Sequence, residues 1–153
     1  SIACADGDND ELFGDSGNVD YIIGGSLDDY VEGNDGMDLV FGDHAAVLLY
    51  GDPPYKLKYA TTINASCSPG NDTIILGDDD DLAFGGAYGD NIEGNDGQDV
   101  ILGDFGFYNA EVETLPKQHY ECIIAHPESA GPDILNGGDH DDILIGQEYH
   151  DII

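Results

Sequence analysis

The sequence has no arginine and only three lysines, Lys56, Lys58 and Lys117, set against 33 Asp and Glu in 153 residues. Its formal charge is −30. A chain this acidic repels phosphate and anionic lipid, which argues against nucleic acid and charged membrane surfaces as partners. No apolar run approaches the roughly 20 residues that span a bilayer, so no membrane span is expected. Also missing are an initiator Met and a signal-like segment, so the chain reads as mature, processed or cut from something longer. Cys4, Cys67 and Cys122 match no zinc spacing, and the five histidines are scattered without ligand spacing. Thr61, Thr62, Thr73 and Thr114 are too few for the ranked threonines of an ice-binding face. No nucleophile, base and orienting group form a set, so no enzyme activity is expected.

High charge alone would predict disorder, but 41% apolar content and 22 glycines predict a folded chain. The apolar residues follow a strict period. Asp recurs every nine residues at Asp20, Asp29 and Asp38, then at Asp72, Asp81, Asp90 and Asp99, then at Asp133, Asp142 and Asp151. Asp10 joins the first run with one extra residue. Two positions after each stands an apolar side chain, from Leu12, Ile22 and Val31 through to Leu144 and Ile153. The clearest copies are GNDGMDLVF (33–41), GNDGQDVIL (94–102) and GGDHDDILI (137–145).

A longer period overlies the short one. Asp38 to Asp99, Asp72 to Asp133 and Asp90 to Asp151 are each 61 residues apart, and residues 24–43 match 85–104 at 11 of 20 positions. Four nonapeptides leave 25 residues per unit for an insertion. The insertions lie in 42–69 and 103–130 and hold all three lysines and five of the six prolines.

The pattern G-G-x-G-x-D-x-U-x resembles the RTX calcium-binding nonapeptide repeats. The resemblance covers 7–41, 70–102 and 131–153, within a single repeat array over 1–153. It implies an all-β parallel β-roll, in which two nonapeptides form one coil and Ca²⁺ sits between turns two nonapeptides apart.

The residues support the same picture independently. Glycine clusters supply tight turns, and three residues around a β-branched or Leu side chain make a short strand whose middle residue points inward. Such a roll buries one apolar side chain per strand, a poor core. Aspartates stack along both edges at roughly the 4.8 Å strand spacing, and repel one another without a cation. Ca²⁺ suits them because it takes six to eight oxygen ligands from carboxylates and carbonyls.

If the alternation runs through the insertions, one edge carries Asp10, Asp29, Asp72, Asp90, Asp133 and Asp151, and the other Asp20, Asp38, Asp81, Asp99 and Asp142. These are the expected metal ligands. They leave up to nine inter-coil gaps, and nine Ca²⁺ would reduce the charge to −12. Leu27, Tyr88 and Tyr149 replace a turn glycine at 61-residue intervals, and Asn18, Asp79 and His140 do so in the other turn class. Bulky residues avoid positive φ, which predicts weaker sites at the turns ending in Asp29, Asp90 and Asp151.

Outward-facing pairs on the second-edge strands, such as Leu39/Phe41 and Leu82/Phe84, form an apolar stripe that needs a cover. The insertions are expected to supply it as β-hairpins. Leu57, Tyr59, Thr61 and Ile63 alternate, as do Gln118, Tyr120, Cys122 and Ile124, while 45–50 can pair across the turn at Gly51-Asp52-Pro53-Pro54. A hairpin adds two strands while two coils add the same rise, so successive hairpins can stack into a continuous sheet alongside the roll.

The remaining features leave alternatives open. Asn64 and Asn71 begin N-glycosylation sequons. Cys4 and Cys67 lie about two coils apart, too far to bridge, whereas Cys122 could pair with another cysteine, within or between chains, or all three could be free thiols. Expected partners are calcium ions, further copies or continuation of a longer array, and glycans. The expected setting is extracellular, secreted or at a cell surface. The expected function is a Ca²⁺-stabilised segment of a fibre, stalk or adhesin. Alternatives are a glycan-binding adhesive module using Tyr50, Tyr55, Tyr59 and Tyr120, or a calcium-folded accessory module of a secreted enzyme.

Overall fold

The computed structural model describes residues 7–17, 19–52, 56–63, 68–109 and 129–153, and the main chain of 119–122. The described residues form fourteen strands and no helix. Ten of the strands wind into a roll. Strands β1 (Glu11–Phe13), β3 (Tyr30–Asp35), β7 (Thr73–Asp78), β9 (Asn91–Asp96) and β13 (Ile134–Asp139) make one parallel sheet in that order. Strands β2 (Tyr21–Gly25), β4 (Leu39–Asp43), β8 (Leu82–Phe84), β10 (Val100–Leu102) and β14 (Ile143–Ile145) make the other. The chain alternates between the sheets every nine residues, and the expected β-roll is what forms.

The space between the sheets is filled by the residues two places after each ladder aspartate. Ile22, Val31, Val40, Ile74, Ala83, Ile92, Ile101 and Leu135 are buried there, with Leu12 and Leu144 packed at the ends. One further residue belongs to this cluster, Leu76. A single layer of side chains is all the interior the roll has.

The insertions form the third sheet. Strand β5 (Ala45–Tyr50) pairs with β6 (Lys56–Thr62), and β11 (Gly106–Asn109) with β12 (His119–Cys122), both antiparallel. Strand β6 also pairs with β11, so the two hairpins join into one four-stranded sheet. It covers the middle of the apolar stripe, while Ile23 and Ile143 at its ends stay exposed. Leu39, Phe41, Leu82, Phe84, Val100 and Leu102 are buried against Ala60, with Ala45, Val47, Leu57 and Tyr108 packed around them. The rings of Phe41 and Phe84, on adjacent coils, stack with centroids 4.9 Å apart.

One expectation about the first hairpin needs correcting. Between Leu48 and Leu49 the register shifts, with Tyr59 opposite Leu48 and Leu57 opposite Leu49. Lys58 is the extra residue of a β-bulge, and a bulge reverses which side chains face the core. Leu57 and Ala60 therefore pack on the roll, while Tyr59 lies 6.0 Å from the ring of Phe107. The expected alternation at Gln118 and Ile124 falls outside the described residues.

Candidate metal centre

The two rows of aspartates are consecutive in space in the expected order. On the first edge the amide of Asp10 donates to Asp29 Oδ1, Asp29 to Asp72, Asp72 to Asp90, Asp90 to Asp133 and Asp133 to Asp151, at 2.8–3.0 Å. On the second, Asp20 donates to Asp38, Asp38 to Asp81, Asp81 to Asp99 and Asp99 to Asp142, at 2.6–3.0 Å. All eleven aspartates thus lie in two ladders, each linking a coil to the next through one carboxylate oxygen. The links cross both insertions without interruption.

The second oxygen of each carboxylate decides the chemistry. Oδ2 of Asp29, Asp38, Asp72, Asp81, Asp90, Asp99 and Asp133 is buried and accepts no hydrogen bond. A buried, unpaired carboxylate oxygen is costly and demands a proton or a cation. Burial pushes Asp72 and Asp81 up to about 8, Asp133 to about 7, and Asp38 and Asp99 to about 6. It holds Asp90 well above the usual carboxylate range, with the charges of Asp72 and Asp133 adding to the effect.

Glycines leave the space for the ion. A Cβ placed on Gly85 would stand 2.3 Å from Asp90 Oδ2 and 2.1 Å from the Gly103 carbonyl of the next coil. The same convergence of a carboxylate oxygen and a next-coil carbonyl occurs at Gly14, Gly24, Gly33, Gly42, Gly94 and Gly103. No three His, Cys, Asp or Glu side chains cluster among the described residues. A metal here would draw on a pair of ladder aspartates and on backbone carbonyls, an all-oxygen set that suits Ca²⁺ and suits zinc poorly. The donor set fits the ion.

The model of the RTX calcium-binding nonapeptide repeat (4 copies) matches this chain over residues 19–43, 68–87, 76–107 and 129–153. The chain belongs to the RTX repeat family. No curated protein and no solved structure matches it. RTX repeats bind calcium, and the buried ladder aspartates of this roll are suited to it.

The turns that depart from the RTX pattern are intact. Leu27, Tyr88 and Tyr149 adopt φ of 71–73°, the strained left-handed region. The returning ends of the insertions pin two of them, since Leu27 N donates to Ser68 O at 2.9 Å and Tyr88 N to Ser129 O at 2.6 Å. The carboxylates of Asp29, Asp90 and Asp151 still reach the spaces beside Gly24, Gly85 and Gly146. Asp79 and His140 also take positive φ, while Asn18 lies outside the described residues.

Two functional residues escaped the nonapeptide pattern. Asp43 stands where the chain leaves the roll, and is buried. It accepts the amide of Gly70, on the returning segment, at 3.2 Å, and that of Ala87, on the next coil, at 2.6 Å. Burial moves its carboxyl up to about 7, with the two backbone donors opposing the shift. Asp104, 61 residues on, accepts Glu148 N at 3.1 Å. Their 61-residue spacing was the available signal. Because two buried donors would be stranded, Asp43→Ala is expected to cost about 2–4 kcal/mol in urea unfolding with calcium present, and Asp43→Asn less.

Asn71 is occupied within the roll: its amides donate to Asp28 Oδ1 at 2.8 and 3.3 Å, and its Oδ1 accepts Gly89 N at 3.2 Å. Asn64, Cys4 and Cys67 lie outside the described residues.

Proposed function

We propose that this chain is a secreted, calcium-stabilised structural segment of an extracellular fibre, stalk or adhesin, built from 61-residue units that add along one axis and can stack end to end. Its ligands, in this reading, are Asp10, Asp29, Asp72, Asp90, Asp133 and Asp151 on one edge and Asp20, Asp38, Asp81, Asp99 and Asp142 on the other. One observation carries the reading. Each unit adds two strands to every one of the three sheets, and β6 pairs with β11 across successive units, so the array lengthens along the strand-stacking direction. At normal strand spacing that step is about 9.6 Å.

RTX repeat proteins are typically secreted, and extracellular calcium then acts as a folding ligand by binding only the folded roll. In a calcium-poor cytoplasm the same chain would stay expanded by its own charge. No catalytic role is assigned, since the carboxylates serve one another, the backbone and the ion. Duplicating residues 43–103 within the chain should lengthen the calcium-loaded particle by about 10 Å per added copy in small-angle scattering, with unchanged cross-section. Growth in all directions would refute the linear array.

A further inference from the structure

We infer that Leu76 closes one inter-coil gap, between Asp81 and Asp99, to calcium, so that one rung of the second edge is held by apolar packing among rungs held by metal. The inference rests on the calcium reading of the other gaps and concerns this chain's own departure from it.

Pairing of β3, β7 and β9 places Leu76 in register between Gly33 and Gly94. At Gly33 the inward space holds Asp38 Oδ2 and the Leu76 carbonyl, 2.7 and 2.4 Å from where a Cβ would be. At Gly94 it holds Asp99 Oδ2 and the Gly137 carbonyl, at 2.2 and 2.3 Å. The 61-residue counterpart of Leu76 is Gly137, where a Cβ would meet Asp142 Oδ2 at 2.2 Å. Leu76 carries a whole side chain on that inward face. It is fully buried and belongs to the core cluster with Ile74 and Ile92. Methyl groups thus fill the volume in which Asp81 Oδ2 and the next-coil carbonyl would otherwise converge, and Ca²⁺ accepts only oxygen ligands there.

The coil does not break at this rung. Asp38 N still donates to Asp81 Oδ1 at 2.6 Å, and Asp81 N to Asp99 Oδ1 at 2.9 Å. The Asp81 N–Asp99 Oδ1 hydrogen bond and the packed Leu76 side chain hold this rung, and with no ion in the gap the buried Asp81 Oδ2 is left to a proton.

Crystals of the calcium-loaded wild-type chain test this directly. Ions are expected in the glycine-lined gaps on either side, Asp38–Asp81 and Asp99–Asp142, with none between Asp81 and Asp99. An ion in that gap overturns the inference, whereas ions in no gap overturn the calcium reading itself. Native mass spectrometry supplies the second arm. Among variants that keep the wild-type circular dichroism in calcium, Leu76→Gly should carry one more Ca²⁺ than wild type and Gly94→Leu one fewer. A Leu76→Gly count equal to that of wild type also overturns the inference.

Discussion

In calcium-free buffer the chain is expected to be most stable near pH 4 and to lose its β-structure as the pH rises towards 8. The ladder aspartates ordinarily titrate near 3.8, but burial raises Asp38 and Asp99 to about 6, Asp133 to about 7, and Asp72 and Asp81 to about 8. A raised folded-state value means that the folded chain holds protons more firmly than the unfolded one. That contribution to stability is complete below the unfolded value and disappears as the pH passes through the folded one. Self-repulsion of the −30 chain acts in the same direction. Calcium takes over the proton's place, so binding should release protons and tighten between pH 6 and 8. Urea unfolding followed by circular dichroism, with and without calcium, checks both halves. Calcium-free stability that rises over this range would contradict the account.

The second large effect is steric. Gly85→Ala puts a methyl 2.3 Å from Asp90 Oδ2 and 2.1 Å from the Gly103 carbonyl. A backbone oxygen cannot retreat without moving its coil. The expected cost is about 3 kcal/mol, from overpacking together with the loss of an ion from the gap. Gly17→Ala is the control: nothing lies within 4 Å of its Cβ, and only the strain of φ +90° remains, about 1 kcal/mol. Calcium-loaded denaturation curves should separate the two variants widely. Equal effects would mean that the glycines serve the turns and not the ion.

Periodicity made most of this legible. A period of nine identifies the ladder aspartates and the inward residues two places later, because a two-sheet roll repeats its geometry every eighteen residues. The hairpin sheet could be anticipated from arithmetic, since an insertion of two strands matches a rise of two coils. What stayed hidden has local causes. Asp43 and Asp104 lie out of phase with the nonapeptide, and their roles depend on where a returning segment touches the roll. Leu76 extends an apolar run and so reads as strand, although it stands at a glycine position. The bulge at Lys58 leaves composition unchanged while reversing the faces of β6. Leu27 and Tyr88 look like defects until the returning segments that hold them are seen.

Between the two sheets of the roll the interior is one side chain thick, so the central claim is that metal at the two edges supplies the cohesion this layer lacks. A calcium titration at pH 7.5, following far-UV circular dichroism and radius of gyration on the same samples, tests it most directly. The account predicts an expanded, largely unstructured chain in chelator that becomes β-structured and compact as calcium fills several sites. A spectrum and a radius unchanged between chelator and millimolar calcium would contradict it.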